Sequence, residues 1–266
     1  MRVGAAAVLV ALALVLPAGA AAPPTKDPGE LVVGVSMPAP GLQVGAVRGR
    51  DVVLAKGLEI ELARALAKEL GVPRVRFVNE ALFSTLVSGR PADWDLAIAA
   101  ITITPERARR VDFSTPYLTV DQAVLMRQGW RPPVPTSVAG LRSLQLCSER
   151  ATTGARTILD RIKPQKKPRL ATDPSQLMYD LYNDRCDAVV YDADILGAER
   201  AAAPERYGPF AGRLITRERY GIAFPKGSPL RAGVNGALRT LTRDGALARL
   251  QKRWLSTDVS KLPVLR

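Results

Sequence analysis

Short apolar runs of strand length alternate with stretches whose leucines return every fourth residue, and this alternation limits the possible fold more than any other feature. LVVGVSM, from residue 31, is rich in β-branched residues and predicts a buried strand. After a polar, glycine-containing stretch comes GLEIELARALAKELGVP. There Leu58, Leu62, Leu66 and Leu70, beside Ala63 and Ala67, draw one apolar stripe of a helix stopped by Gly71 and Pro73. VRFV predicts a second strand, ALFSTLVSG a helix ending at Gly89, and DLAIAAITI a third strand. That last run is nearly all apolar, as expected when both faces of a parallel sheet are covered. Strand and helix alternate, which predicts an α/β lobe.

The pattern then restarts. DQAVLMRQG is extended, PPVPTSVAG a proline-rich loop, SLQLCSE a strand and ATTGARTILDRI a helix. RLAT, the helix SQLMYDLYND and the strand CDAVVYDA complete a second α/β lobe of similar make-up. RYGIAFPKG is a further strand, and residues 228–255 give two helices. The first of these opens on Ser228 as N-cap with Pro229 at the first helical position. Val234, Ala237, Leu238 and Leu241 form its apolar face.

The 266 residues are enough for two lobes of moderate size. Lysine and arginine number 38 against 25 acids, a net charge of +13, which suits anionic partners such as a small acid or a membrane surface. Nucleic acid is not expected as a partner: RARR and KPQKKPR are short and lack interleaved aromatics. There is no histidine, which removes Ser-His-Asp and Cys-His catalysis and imidazole metal sites. Neither a metal nor a cofactor is expected. At the N-terminus, Arg2 precedes an apolar run over residues 3–16, Pro17 breaks it, and AGA and AAA follow. This predicts an export signal over residues 1–22, cleaved near residues 20–22. The alternative, a membrane anchor, needs roughly 20 apolar residues and is disfavoured. With no cysteine near the cleavage point, a periplasmic or secreted protein without a lipid anchor is expected. In an oxidising compartment Cys147 and Cys186 become a candidate disulfide, two separate buried thiols being the alternative.

Three constellations could carry function. In ITITPERARRVDF, residues 101–113, Thr104 before Pro105 and Glu106 is a strong helix start. Thr102 adds a hydroxyl, and Arg107 could fork onto a carboxylate. The plainer alternative is a capped helix with solvated arginines. ATTG, residues 151–154, also lies between a strand and a helix, and its hydroxyls and N–H groups could cradle an anion or simply cap. Asp192 follows the apolar strand AVVY, where a buried carboxylate needs a cationic partner or several donors. Asp194 could cap the following helix. Hydroxyls and an arginine for a carboxylate, with an aspartate for an ammonium, match a free α-amino acid.

GLEIELARALAKELG, DLAIAAITITPERARRVDFSTPYL, CDAVVYDADIL and YGIAFPKGSPLRAGVNGALRTLTRDG resemble extracytoplasmic solute-binding proteins of polar amino-acid ABC transporters. The resemblance runs from about residue 31 to residue 255, and the last motif is especially similar to glutamine-binding members. It implies the two-lobed periplasmic-binding fold (type II), with crossing segments near residues 117–126 and 219–224. It also implies a first lobe of residues 30–118 plus 225–266 and a second of 119–224. Thr102 and Arg107 would hold the ligand carboxylate, helped by the backbone near Ala100. Thr152 and Thr153 would meet the same carboxylate from the second lobe, and Asp192 would take the α-ammonium. Members with a similar strand cysteine and an RCDA strand are thought to pair them, which implies Cys147–Cys186. The implied partners are an amino acid and a membrane permease, and the expected state is a monomer.

The sequence departs from the family in the loop after the first strand, which usually offers an acid and aromatic residues over the ligand side chain. Here Ser36, Ala39 and Leu42 stand there, Ser36 being counted among the ligand contacts. With no acid visible to meet a cationic side chain, an acidic or neutral polar amino acid is expected. Ala151 replaces the usual glycine before the hydroxyl pair. Two alternatives share the resemblance. One is an exported enzyme like cyclohexadienyl dehydratase, with Asp192 or Asp194 as general acid; the other is a ligand-sensing module with a separate partner.

Overall fold

The computed structural model describes residues 23–255 and 258–266, so the expected export signal at residues 1–22 lies outside the described residues. Two sheets organise the chain, each flanked by helices. The first is built from β1 (Glu30–Val35), a hairpin of β2 (Val44–Arg48) and β3 (Asp51–Lys56), β4 (Arg74–Asn79), β5 (Leu96–Ala97) and β6 (Asp112–Phe113). Helices α1 (Leu58–Glu69), α2 (Phe83–Leu86) and α3 (Pro105–Ala108) lie between these strands. The second contains β7 (Leu118–Arg127), β8 (Leu146–Glu149), β9 (Arg169–Ala171), β10 (Ala188–Asp192) and the long β11 (Tyr207–Tyr220). Its helices are α4 (Thr153–Arg156), α5 (Pro174–Tyr182) and α6 (Ala193–Ala202). The chain then rejoins the first sheet at β12 (Ala223–Phe224) and ends in α7 (Leu230–Arg243) and α8 (Ala246–Trp254). The strand orders are β2-β3-β4-β1-β5-β12-β6 and β11-β7-β10-β8-β9. β1 is parallel to β4 and β5, and β8 is parallel to β9 and β10, as the apolar runs predict.

The helical stripe folds as expected. Leu58, Leu62, Ala63, Leu66 and Ala67 are buried, and Gly71 takes φ +71 so that the last turn can close on the Ala67 and Lys68 carbonyls. Val234, Ala237, Leu238 and Leu241 are likewise buried along α7. That helix starts one residue later than expected. Ser228 serves it through its carbonyl, which accepts from the Arg231 N–H at 3.4 Å, and no side chain caps it.

Other elements differ for physical reasons. The polar, glycine-containing stretch after β1 forms the β2–β3 hairpin, whose strand pattern is weak because it stands at a sheet edge with most of its residues exposed and little apolar alternation. β11 is interrupted by register shifts around Pro209 and Gly212, which hide its strand pattern. DLAIAAITI forms a ladder only at Leu96–Ala97. Ala100 then takes φ +49, and the chain regains a single bridge at Thr102, opposite Tyr220. The expected helix after ATTG is α4 followed by a wider π-helical turn, Thr157–Ile162.

The chain leaves the first sheet after Phe113 and returns to it at Ala223. The C-terminal residues, expected with the first lobe, lie against the second instead. Leu265 is fully buried among Val124, Met126 and Leu146, its N–H bonds Arg213 at 2.9 Å, and the Val138 N–H bonds the Arg266 carbonyl. Burial of a leucine there is worth roughly 1.5–3 kcal/mol, which holds the C-terminal residues against the second sheet.

Cys147 on β8 and Cys186 just before β10 are joined in a disulfide, with Cα atoms 6.0 Å apart. It ties adjacent parallel strands across a separation of 39 residues. A loop of that size predicts that replacing both cysteines by serine lowers the unfolding free energy by about 2–4 kcal/mol. An unchanged denaturation midpoint would contradict this.

Candidate functional site

The parallel strands β1, β5, β8 and β10 all end at the cleft between the two sheets, where open α/β folds place ligand sites. Ser36 follows β1, Ala100 and Thr102 follow β5, Glu149 ends β8, and Asp192 ends β10. Together with Arg107, Thr152, Thr153, Phe83 and Tyr191 they line a small cavity of about 20 Å³. That is room for about one water molecule. The cavity shares Arg107, Thr152 and Thr153 with a groove of about 350 Å³.

Arg107 is the centre of the site. Thr104 caps α3 as expected, its hydroxyl accepting the Arg107 N–H at 3.2 Å, and Arg109 and Arg110 are exposed. That short helix directs the Arg107 side chain inward, where it is 6% exposed. Its guanidinium donates to the Thr102 carbonyl in its own lobe at 2.9 Å and to the Ala151 carbonyl across the cleft at 3.0 Å. It also lies over the Phe83 ring, 4.8 Å from the centroid. Burial lowers the guanidinium's proton affinity, while the Asp192 and Glu218 carboxylates hold it up. At the cleft mouth Glu106 joins Arg156 of the opposite lobe and Arg110 of its own.

The expected hydroxyls converge, but on a carboxylate of the protein itself. Glu218 Oε2, from β11, accepts Thr102 Oγ1 at 2.7 Å and Thr153 Oγ1 at 2.6 Å, one hydroxyl from each lobe. Gln122 donates to Glu218 Oε1 at 3.1 Å. Thr152 instead caps α4, accepting the Ala155 N–H at 3.3 Å and donating to the Glu149 carbonyl. The Ala100 N–H is engaged by Glu59 Oε1 at 2.8 Å, which leaves only its carbonyl for any ligand. Asp192 accepts from Gln122 and, at 2.7 Å, from the Tyr220 hydroxyl. Burial raises its pKa well above the ordinary aspartate value, and the Glu218 and Asp194 charges add to this. Asp194 does not cap α6; it lies in the first turn beside Tyr220, with burial pushing it up to about 6.

Several residues here were not anticipated. Glu59, fully buried on α1, accepts from Ala100, the Tyr117 hydroxyl and Gln43, and burial pushes it up to about 7. Glu149 is also pushed up to about 7 by burial. Its signal was present in the sequence: like Asp192, it is an acid ending an apolar strand. Phe83 and Tyr191 supply the aromatic surface missing from the first-strand loop. Glu218 carried no signal, because β11 itself is masked by its bulges.

Ala151 holds φ +64, the left-handed conformation that glycine adopts without cost. Ala151→Gly is therefore expected to stabilise the fold by roughly 1 kcal/mol, a rise of about 2–4 °C in thermal midpoint. A fall in midpoint would contradict the strain.

"Bacterial extracellular solute-binding proteins, family 3" matches residues 31–257. The L-cystine-binding protein TcyJ of Escherichia coli K12 is 27% identical over 239 residues, covering 89% of this chain and 86% of its own. The ABC transporter glutamine-binding protein GlnH of Bacillus subtilis is 27% identical over 207 residues, 76% of this chain and 74% of its own. An ancestral arginine-binding protein bound to arginine superposes with a TM-score of 0.73 at 29% identity, covering 85% of this chain and 98% of that one. An ancestral amino acid-binding protein, a precursor of cyclohexadienyl dehydratase, gives 0.73 at 29% identity, 85% and 96%. The fold is the two-lobed type II arrangement of periplasmic binding proteins. The chain belongs to the bacterial extracellular solute-binding proteins, family 3.

Proposed function

We propose that the protein binds a free amino acid between its lobes outside the cytoplasm and presents the closed complex to an ABC transporter permease. One observation carries the reading. A buried guanidinium, two hydroxyls and a buried aspartate converge on one cavity from both lobes. In the ligand-bound form the α-carboxylate takes the Arg107 guanidinium and the Thr102 and Thr153 hydroxyls, displacing the Glu218 carboxylate. Thr152 keeps the α4 N-terminus turned towards the site, and Ser36 contributes from the first lobe. Asp192 takes the α-ammonium, which compensates the charge that burial otherwise suppresses. Because the contacts come from both lobes, binding favours closure by hinge motion.

The relatives are named for cystine, arginine and glutamine, so family membership leaves the side chain open. The expectation of an acidic or neutral polar ligand rests on the absence of acids from residues 36–47 and on the basic surface. Glu149, Asp192 and Glu218 around a single guanidinium argue against an acidic side chain. An enzymatic reading draws on Asp192 and Glu149, both held towards the protonated form by burial, as general acids. For a binding protein, prephenate mixed with the pure protein keeps its absorbance; its loss would favour the enzyme.

Arg107→Ala is expected to weaken amino-acid binding by roughly 100-fold or more, since it leaves a ligand carboxylate buried without its partner. Calorimetric titration measures this, with circular dichroism confirming the fold. Unchanged affinity in a folded variant would remove Arg107 from the ligand clamp.

A further inference from the structure

Glu149 is 1% exposed, and only one of its carboxylate oxygens is matched. Oε2 accepts the Tyr191 hydroxyl at 2.5 Å. Oε1 is buried and has no hydrogen-bond partner. An unmatched buried acceptor costs about 1–3 kcal/mol, and more when the group is charged. Such groups in folded proteins call for an explanation, and a ligand is one. The residue lines the same cavity as Arg107, Thr152 and Asp192, at the C-terminal end of a parallel strand.

The charges around the cavity point to what fills this gap. Given the amino-acid clamp proposed above, on which this inference rests, Arg107 is neutralised by the α-carboxylate and Asp192 by the α-ammonium. Glu149 then remains, buried and without a cation of its own. We propose that Glu149 determines side-chain specificity, its free Oε1 accepting the terminal N–H donors of a cationic amino acid with a guanidinium or ammonium side chain.

The other side-chain classes fit less well. A side-chain carboxylate would place like charges together out of water, which costs several kcal/mol. A carboxamide offers donors but leaves the Glu149 charge uncompensated. The acid usually sought in the first-strand loop is thus supplied by the second lobe. It sits three residues before Thr152, on the segment that also carries the cap of α4. Tyr191 fixes the carboxylate from β10 and supplies an aromatic wall to the same cavity.

The test is calorimetric titration of the mature protein and of Glu149→Gln with L-arginine, L-lysine, L-glutamine and L-glutamate. The wild type is expected to bind arginine or lysine at least about tenfold more tightly than glutamine or glutamate. Glu149→Gln is expected to weaken the cationic ligand by at least about 30-fold and to change glutamine by less than about threefold. Thermal melting confirms that the variant folds, and Glu149→Asp, which keeps the charge, is expected to retain part of the cationic preference. Preference of the wild type for glutamate or glutamine would overturn the inference while leaving the amino-acid clamp intact. Unchanged arginine and lysine affinity in a folded Glu149→Gln would do the same. Failure of all four amino acids to bind would overturn both this inference and the reading on which it rests.

Discussion

The buried guanidinium of Arg107 is the interaction on which the arrangement of the cleft depends. Removing such a charge from water costs several kcal/mol unless it is matched by well-placed acceptors. Here the match comes from both lobes, through the carbonyls of Thr102 and Ala151, with the Phe83 ring beneath and the carboxylates of Asp192 and Glu218 nearby. Each partner imposes a local backbone condition. The Thr102 carbonyl is positioned after a left-handed residue, Ala100, whose N–H is held by buried Glu59. The Ala151 carbonyl likewise requires a left-handed residue. The irregular ends of β5 and β8 are where the regular sheet is given up to form the site.

Glu218 couples this chemistry to lobe movement. It lies on β11, the strand that leads back to the first sheet, and one of its oxygens bonds a hydroxyl from each lobe. An incoming carboxylate of similar chemistry competes for the same hydroxyls. Exchange of one carboxylate for another alters little in hydrogen-bond number, so the differential contacts that select the closed, liganded form fall to Arg107, Asp192 and the side-chain pocket. Tyr117 and Tyr220, at the two crossing segments, bond Glu59 and Asp192 respectively. The Tyr117 N–H also bonds the Tyr220 carbonyl at 3.0 Å, so the two crossing segments that carry these hydroxyls are tied to each other.

Much of this was legible in the residues. The leucine stripe of α1, the Thr104-Pro105-Glu106 helix start and the apolar run into Asp192 express burial and capping rules that act over a few residues, so they survive in the local pattern. The helix start places Arg107 in the first turn, but only the family resemblance separates it from the solvated Arg109 and Arg110. Glu149 could have been found by the logic applied to Asp192. Glu218 could not, because its strand lacks alternation and its partners lie 116 and 65 residues away. The β2–β3 hairpin and the return of Leu265 to the second lobe are also tertiary outcomes. One is an exposed sheet edge, and the other is a core gap filled by the last residues of the chain.

A crystal structure of the mature protein with a bound amino acid tests the central claim most directly. The account predicts the α-carboxylate within hydrogen-bond distance of the Arg107 guanidinium and the Thr102 and Thr153 hydroxyls, with the α-ammonium on Asp192 and Glu218 displaced. A ligand bound elsewhere, or in the cleft with Glu218 still bridging the two threonines, would contradict it.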